Sequence, residues 1–110
     1  MTIFIPNKDR NGVEIDQDRW VNEALVMLGT LFRGATAYPR GRGVWRDEAG
    51  TFVFEEPVTV FSYAPQDSMN AAALLEIRRF ANRMGRETNQ GEIGIVIDEV
   101  YYAITDYSEV

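Results

Sequence analysis

One stretch of the chain combines positive charge, a flexible backbone and an aromatic ring, in the order Arg40-Gly-Arg-Gly-Val-Trp45. Two guanidinium groups two residues apart can clamp a phosphate or a carboxylate, and the glycines let the backbone approach a ligand. The indole of Trp45 offers a face on which a base can stack. Arg40, Arg42 and Trp45 are therefore candidate ligand-binding residues. The alternative is a hairpin with solvated arginines and Trp45 in the core, and the spacing is not that of a P-loop.

A second polar stretch, Arg86-Glu-Thr-Asn-Gln-Gly-Glu92, separates a predicted helix end at Gly85 from a wholly apolar strand. Arg86 is a candidate for binding an anion. Asn89 and Gln90 are candidates for orienting the ligand, because side-chain amides match the hydrogen-bonding edge of a base or an amide. The alternative is that these amides cap the carbonyl groups at the end of the helix.

The candidate catalytic residues are Glu87 and Glu92, each as a general base. Alternatively, Glu87 forms an ion pair with Arg83 or Arg86. Glu92 and the pair Asp98-Glu99 offer the oxygen ligands that Mg²⁺ prefers, but they lack the spacing of a metal loop. A hairpin turn is the better interpretation of Asp98-Glu99, so we predict neither a metal nor another cofactor.

The composition restricts the chemistry further, because the chain has no histidine and no cysteine. A Ser-His-Asp triad, an ordinary zinc site, a disulfide and a thiol nucleophile are all excluded. Proton transfer must use Asp, Glu, Tyr, Lys8 or a bound water.

The formal net charge is −6, which argues against general binding to nucleic acids or to membrane surfaces. Eight of the 11 basic residues nevertheless fall into two windows without acids, and they are Arg33, Arg40, Arg42, Arg46, Arg78, Arg79, Arg83 and Arg86. If the two windows converge, they form a positive cleft that favours a small anionic ligand over a long polyanion. There is no apolar stretch long enough for a membrane and no signal peptide, so we expect a cytoplasmic protein.

The hydrophobic pattern predicts one α+β domain over residues 1–105, followed by an acidic tail, residues 106–110, that frays. A helix over 17–33 should begin at the N-cap Asp16 and stop at Gly34. A second helix should follow Asp67 or Ser68 and end at Gly85, with Leu74, Ile77, Phe80, Ala81 and Met84 buried. The predicted strands are 3–5, 35–38, 44–46, 51–54, 58–63, 93–97 and 100–104.

This order of elements is a split βαβ pattern (βαββαβ) and resembles the ferredoxin-like superfold over nearly the whole chain. The resemblance implies an antiparallel sheet with two helices on one face, here with an extra β-hairpin. Members of the superfold often pair through the open face of the sheet, so we expect a homodimer. The aromatic residues available for that contact are Phe52, Phe54, Phe61, Tyr63, Tyr101 and Tyr102.

The function we predict is the binding of a phosphate-bearing small molecule such as a nucleotide, which the protein either hydrolyses or sequesters. One alternative is a non-catalytic acidic module that binds or inhibits a protein partner. A second alternative is a small acid/base enzyme that acts on a carboxylate or carbonyl substrate. The element order does not decide among the three, because one superfold hosts many functions.

Overall fold

The computed structural model describes all 110 residues. Two helices, α1 (Gln17–Phe32) and α2 (Ala71–Glu87), are combined with seven strands. The strands are β1 (Thr2–Ile5), β2 (Thr36–Ala37), β3 (Gly43–Arg46), β4 (Phe52–Glu55), β5 (Val58–Phe61), β6 (Ile93–Ile97) and β7 (Val100–Ile104).

Five of these strands form one antiparallel sheet in the order β2-β5-β1-β6-β7. Strand β5 lies between β1 and β2, and β1 lies between β5 and β6, so each βαβ unit is split by a strand of the other. The predicted α+β class and βαββαβ order are confirmed, with β7 added at one edge. The predicted extra hairpin is β3–β4, which forms a separate two-stranded sheet.

One face of the sheet carries the core, because alternate residues of a strand point to the same side. Ile3 is paired with Val60 on one neighbouring strand and with Ile95 on the other, and all three side chains are buried. Buried residues of both helices belong to the same cluster, among them Trp20 and Phe80. Both helices therefore cover this one face, as predicted.

Helix α1 begins where the sequence predicts and ends one residue early. The side chain of Asp16 accepts a hydrogen bond from the backbone N–H of Arg19 at 3.2 Å, as an N-cap does. The left-handed conformation at the C-cap belongs to Arg33, with φ of 74°, and not to Gly34. The N–H of Arg33 donates to the carbonyl of Gly29, which closes the last turn.

Helix α2 begins later than predicted. Its N-cap is Asn70, whose side chain accepts a hydrogen bond from the backbone N–H of Ala73 at 3.0 Å. The predicted caps Asp67 and Ser68 lie instead in a short 3₁₀ turn. The buried face of this helix includes Ala73, whereas Leu74, which was predicted to be buried, is 42% exposed.

Helix α2 also ends later, since it continues through Gly85 to Glu87. The glycine is required here by close packing and not by a turn. A Cβ atom at this position would lie 2.5 Å from Cδ1 and Cζ of Tyr107, well inside van der Waals contact. The helix end is closed by Thr88, whose hydroxyl donates to the carbonyl of Met84 at 2.6 Å.

The acidic tail, residues 106–110, lies along α2 and receives hydrogen bonds from several of its side chains. Its fraying, like the domain boundary at residue 105, stays a prediction. The ring of Tyr107 packs against the core.

The hairpin β3–β4 leaves its aromatic residues exposed. Its turn is closed by the carboxylate of Asp47, which accepts from the N–H of Thr51 at 2.8 Å. Trp45 is 53% exposed and Phe54 is 70% exposed, so the alternative that placed Trp45 in the core is wrong.

Candidate functional site

Strand directions bring both polar stretches to one end of the sheet. Ile5 at the end of β1 pairs with Val58 at the start of β5. Because β6 is antiparallel to β1, its first residue, Ile93, lies at the same end. The loop after β1, the base of the hairpin before β5 and the loop before β6 are therefore neighbours.

The loop after β1 is bonded directly to the loop between α2 and β6. The buried side chain of Gln90 donates to the carbonyl of Lys8 at 2.8 Å, and Arg10 donates to the carbonyl of Gln90 at 2.6 Å. The backbone N–H of Arg10 donates to the carbonyl of Asn89 at 3.0 Å. Gln90 thus has a structural role, whereas Asn89 has an exposed side chain and a left-handed backbone with φ of 52°.

The same loop contacts the segment that joins the hairpin to β5. Asn7 accepts a hydrogen bond from the backbone N–H of Glu56 at 2.9 Å. Between these segments lies a pocket of about 280 Å³, which contains the candidate Arg42. The residues that line it are Asn7, Lys8, Glu14, Arg42, Gly43, Phe54, Glu55 and Glu56.

The pocket contains two cations that have no partner within the chain. Neither the guanidinium of Arg42 nor the ammonium of Lys8 forms an ion pair or donates a hydrogen bond. Arg40, by contrast, pairs with Glu56 at 3.4 Å. Both of those side chains are about half exposed, so the pair contributes little to stability and competes with a ligand only weakly.

Next to the pocket, a tyrosine and two glutamates form an acidic group. The hydroxyl of Tyr101 donates to Oε2 of Glu92 at 2.5 Å, and the ring passes over Gly94, where a Cβ would meet the hydroxyl at 2.6 Å. Burial, and then the hydrogen bond to Glu92, raise the pKa of Tyr101, so its hydroxyl stays protonated. Burial also raises the pKa of Glu55, and the negative charge of Glu92 adds to this effect.

The other candidates lie on α2, away from the pocket lining. Arg86 and Glu87 belong to the last turn of the helix and not to a loop, because the helix passes through Gly85. Arg86 donates to the carbonyl of Tyr107 at 2.5 Å. Glu87 lies 3.4 Å from a guanidinium nitrogen of Arg19 and 3.8 Å from one of Arg83, so Arg83 is a partner, as the alternative interpretation held.

A wider groove of about 640 Å³ lies between the two helices and the tail. It is lined by residues such as Val26, Arg79 and Val110 and contains Arg86 but none of the other candidates. Part of its wall is a network of ion pairs, in which Arg83 contacts Glu23 at 2.9 Å. We place the candidate site at the smaller pocket, because that is where unpaired cations and a carboxylate of raised pKa come together.

No group of three or more Asp or Glu side chains is placed to hold a metal ion. Asp98 and Glu99 form the two-residue turn between β6 and β7, and both have positive φ angles, 51° and 67°. Neither helix has the length and hydrophobicity needed to cross a membrane.

Comparisons with known proteins give a fold and no family. No model of a protein family matches the chain, and no curated protein matches it either. A phage SAM lyase in complex with S-methyl-5'-thioadenosine has a similar structure, with a TM-score of 0.66 and 16% sequence identity over 96% of this chain and 87% of that chain. A phage SAM lyase in the apo state gives a TM-score of 0.61 at 17% identity, over 96% and 86% of the two chains. At these identities the likeness concerns the fold alone.

Sequence reasoning did not assign to the site four residues that the loop after β1, strand β4 and strand β7 bring there, namely Lys8, Glu14, Glu55 and Tyr101. The element order contained a signal for two of them. In a split βαβ fold the end of the first strand lies beside the start of the last one, which places Lys8 and Glu14 near Glu92. The position of Glu55 depends on how the inserted hairpin folds back, and no local pattern indicates that.

Proposed function

We propose that this chain binds a small nucleoside-derived molecule in the pocket at the base of the hairpin, through an anionic group of the ligand. The observation that carries the proposal is the pair of unpartnered cations, Arg42 and Lys8, in one pocket of an otherwise acidic protein. Three glutamates, Glu14, Glu55 and Glu56, line the same pocket, so the two cations provide a local contact for one anionic group and the pocket as a whole is not positive. A long polyanion is repelled by the acidic surface around the pocket.

The nucleoside part of the proposal rests on two observations. The exposed ring of Phe54 lines the same pocket and offers a stacking surface. A structural neighbour holds S-methyl-5'-thioadenosine, a nucleoside without phosphate. The anionic group is accordingly a phosphate, as in a nucleotide, or a carboxylate, as in S-adenosylmethionine, and both suit paired guanidinium and ammonium donors.

The same site supports turnover of the ligand as a second candidate function. Glu55 has a raised pKa, and the hydrogen-bonded pair of Tyr101 and Glu92 lies beside it. A carboxyl group of raised pKa is suited to proton transfer near neutral pH, and the tyrosine can hold a neighbouring carboxylate in place. Glu92 is the one candidate general base that lies at this site.

We also propose that the protein acts in the cytoplasm as a homodimer. The hairpin is apolar on both faces, with Val44 and Phe54 paired on one and Trp45 and Val53 on the other. A two-stranded hairpin is marginally stable by itself in water, so a cover for these residues stabilises it. Tyr63, two residues after the end of β5, packs edge-on against Phe61 and is 86% exposed. Light scattering that gives a monomer of 12.5 kDa at a protein concentration of tens of micromolar contradicts the dimer. The same surface would then support the alternative function, a module that binds a protein partner.

The binding proposal is tested by thermal shift with a nucleotide panel, S-methyl-5'-thioadenosine, S-adenosylmethionine and inorganic phosphate. A ligand at about a hundred times its Kd stabilises the native state by about 2.7 kcal/mol. The nucleotide and S-adenosylmethionine arms distinguish a phosphate from a carboxylate anchor. Product analysis by mass spectrometry on the ligand that binds decides whether there is turnover.

Variants locate the site. Arg42→Ala and Lys8→Met should each weaken binding more than about tenfold, because a charged hydrogen bond contributes about 1.5–3 kcal/mol. Arg46→Ala is the matched control, since this arginine lies on the same hairpin outside the pocket lining. Binding that survives both pocket replacements places the site elsewhere, and a panel without any shift refutes the proposal.

A further inference from the structure

The acidic tail is held on α2 by hydrogen bonds to its backbone. The side chains of Arg78 and Asn82 donate to the carbonyls of Asp106 and Ser108, at 3.0 and 2.7 Å. Two further arginines donate to carbonyls of the remaining tail residues. These contacts are Arg86 to Tyr107 at 2.5 Å and Arg79 to Val110 at 3.0 Å.

The helix residues involved are spaced to make one row. Arg78, Asn82 and Arg86 are separated by four residues each, so they lie on a single face of the helix. Tyr107, Ser108 and Val110 meet positions 86, 82 and 79 in that order, so this part of the tail runs antiparallel to α2. A row of donors directed at backbone carbonyls recognises an extended chain largely without regard to its side chains.

One side chain of the tail is recognised in a specific way. The ring of Tyr107 occupies the space that the missing Cβ of Gly85 leaves, and it packs against the core. Its hydroxyl is buried without a hydrogen-bond partner, although the charges of Arg10 and Glu92 act on it. The fit is therefore to an aromatic ring and not to the hydroxyl.

The binding surface continues beyond the tail. The groove of about 640 Å³ between the helices begins at Glu109 and Val110 and extends to Asn22 and Met27 on α1. Val26, in its wall, is 69% exposed. The tail thus covers only one side of a longer groove.

We propose that the outer face of α2 is a peptide-binding groove for an extended segment with one aromatic side chain. The chain's own residues 106–110 occupy it in cis, and the same segment of a second copy of the chain binds to it in trans when the tail is displaced. Hydrogen bonds to the backbone of the segment give affinity, and the space over Gly85 that accepts the aromatic ring gives specificity. Other proteins that recognise extended peptides through the main chain use the same combination.

The test uses full-length protein and a fluorescein-labelled peptide that copies residues 105–110. In the wild-type chain the attached tail has an effective concentration in the millimolar range and keeps the groove filled. Tyr107→Ala removes the ring that seats the tail and frees the groove. Fluorescence anisotropy should then show an apparent Kd for the wild-type chain at least about ten times that for Tyr107→Ala.

Three controls sharpen this result. Tyr38→Ala removes an exposed tyrosine outside the groove lining and should behave as wild type. A peptide with alanine at the position of Tyr107 should not bind. The double variant Gly85→Ala/Tyr107→Ala fills the seat and should lose the peptide. Equal binding to wild type and Tyr107→Ala, or equal binding of the alanine peptide, overturns the proposal.

A second measurement does not depend on the folding of Tyr107→Ala. Carboxypeptidase should release Val110 from the wild-type chain slowly, and faster from Arg79→Ala, by about tenfold for one lost charged hydrogen bond. An excess of C-terminally amidated tail peptide should also accelerate release from the wild-type chain, because it displaces the tail. Arg46→Ala serves as the control. Release at one rate from all of these samples contradicts the groove.

Discussion

Replacement of Gly85 by alanine should destabilise the protein, although the same replacement in an ordinary helix stabilises it. Alanine is favoured over glycine in a helix interior by about 0.8–1.0 kcal/mol. Here the added methyl group would lie 2.5 Å from two ring carbons of Tyr107, so the ring must leave its seat. Overpacking of this kind costs about 1–3 kcal/mol, so the net effect should be a loss of up to about 2 kcal/mol.

The effect of Gly85→Ala on stability should change sign when Tyr107 is absent, and a double-mutant cycle can detect that change. Once Tyr107→Ala has emptied the seat, Gly85→Ala should raise the free energy of unfolding by about the propensity difference, roughly 1 kcal/mol. The coupling between the two positions then equals the overpacking cost, about 1–3 kcal/mol, which is above the scatter of independent sites.

The measurement is urea denaturation of the wild type, both single variants and the double variant, followed by circular dichroism and by the fluorescence of the buried Trp20. For a domain of this size 1 kcal/mol corresponds to roughly 4 °C in Tm, so thermal melts provide a second reading. If Gly85→Ala stabilises the wild-type background, Tyr107 does not occupy the seat and the argument is wrong.

Three further predictions concern single side chains. Asn70→Ala should lower the free energy of unfolding by about 1 kcal/mol in chemical denaturation, because it removes the N-cap of α2. Ser68→Ala should have no measurable effect in the same assay, and a loss of stability in that variant instead would show that Ser68 is the N-cap. Tyr107→Phe should leave Tm unchanged or raise it, with a gain of up to about 1 kcal/mol in the free energy of unfolding, because the buried hydroxyl has no hydrogen-bond partner. A clear fall in Tm would mean that the hydroxyl forms a hydrogen bond in solution. Burial and the charge of Glu92 raise the pKa of Glu55, so the carboxyl group binds its proton more tightly in the folded state than in the unfolded state. The protonated carboxyl group therefore adds to stability below its ordinary pKa of 4.5, and this contribution is lost as pH rises through the raised pKa. Glu55→Gln should therefore increase Tm at pH 7 and leave it unchanged at pH 3, and a gain of the same size at both pH values would exclude titration as the cause.

The assignment of elements followed from local periodicity, and most of it was correct. Alternation places Val58, Val60 and Ser62 on one face of the predicted strand 58–63, and all three are buried in the structure. Asp16 was recognisable as an N-cap because capping is an interaction within four residues. Interactions between residues a few positions apart leave a pattern in the local sequence, so a single sequence is enough to identify them.

The errors occurred where a distant residue decided the local structure. Gly85 has the signature of a helix stop, yet α2 continues through it to Glu87, and the glycine instead leaves room for the ring of Tyr107, 22 positions later. Arg86 therefore lies in the helix and not in a loop, and its side chain donates to the tail.

The features of the candidate site also separate into those that follow from the sequence and those that depend on the fold. The sequence by itself determined the kinds of chemistry available, because a chain without histidine and cysteine can use only carboxylates, tyrosines, its lysine and its arginines. It also indicated Arg42 and Glu92 as residues to examine. Only the tertiary structure decided which cations are free, since Arg40 and Arg86 have partners and Arg42 and Lys8 do not. The physical reason is that a charge pairs with whatever the fold brings within a few ångströms, and such contacts join segments far apart in the sequence.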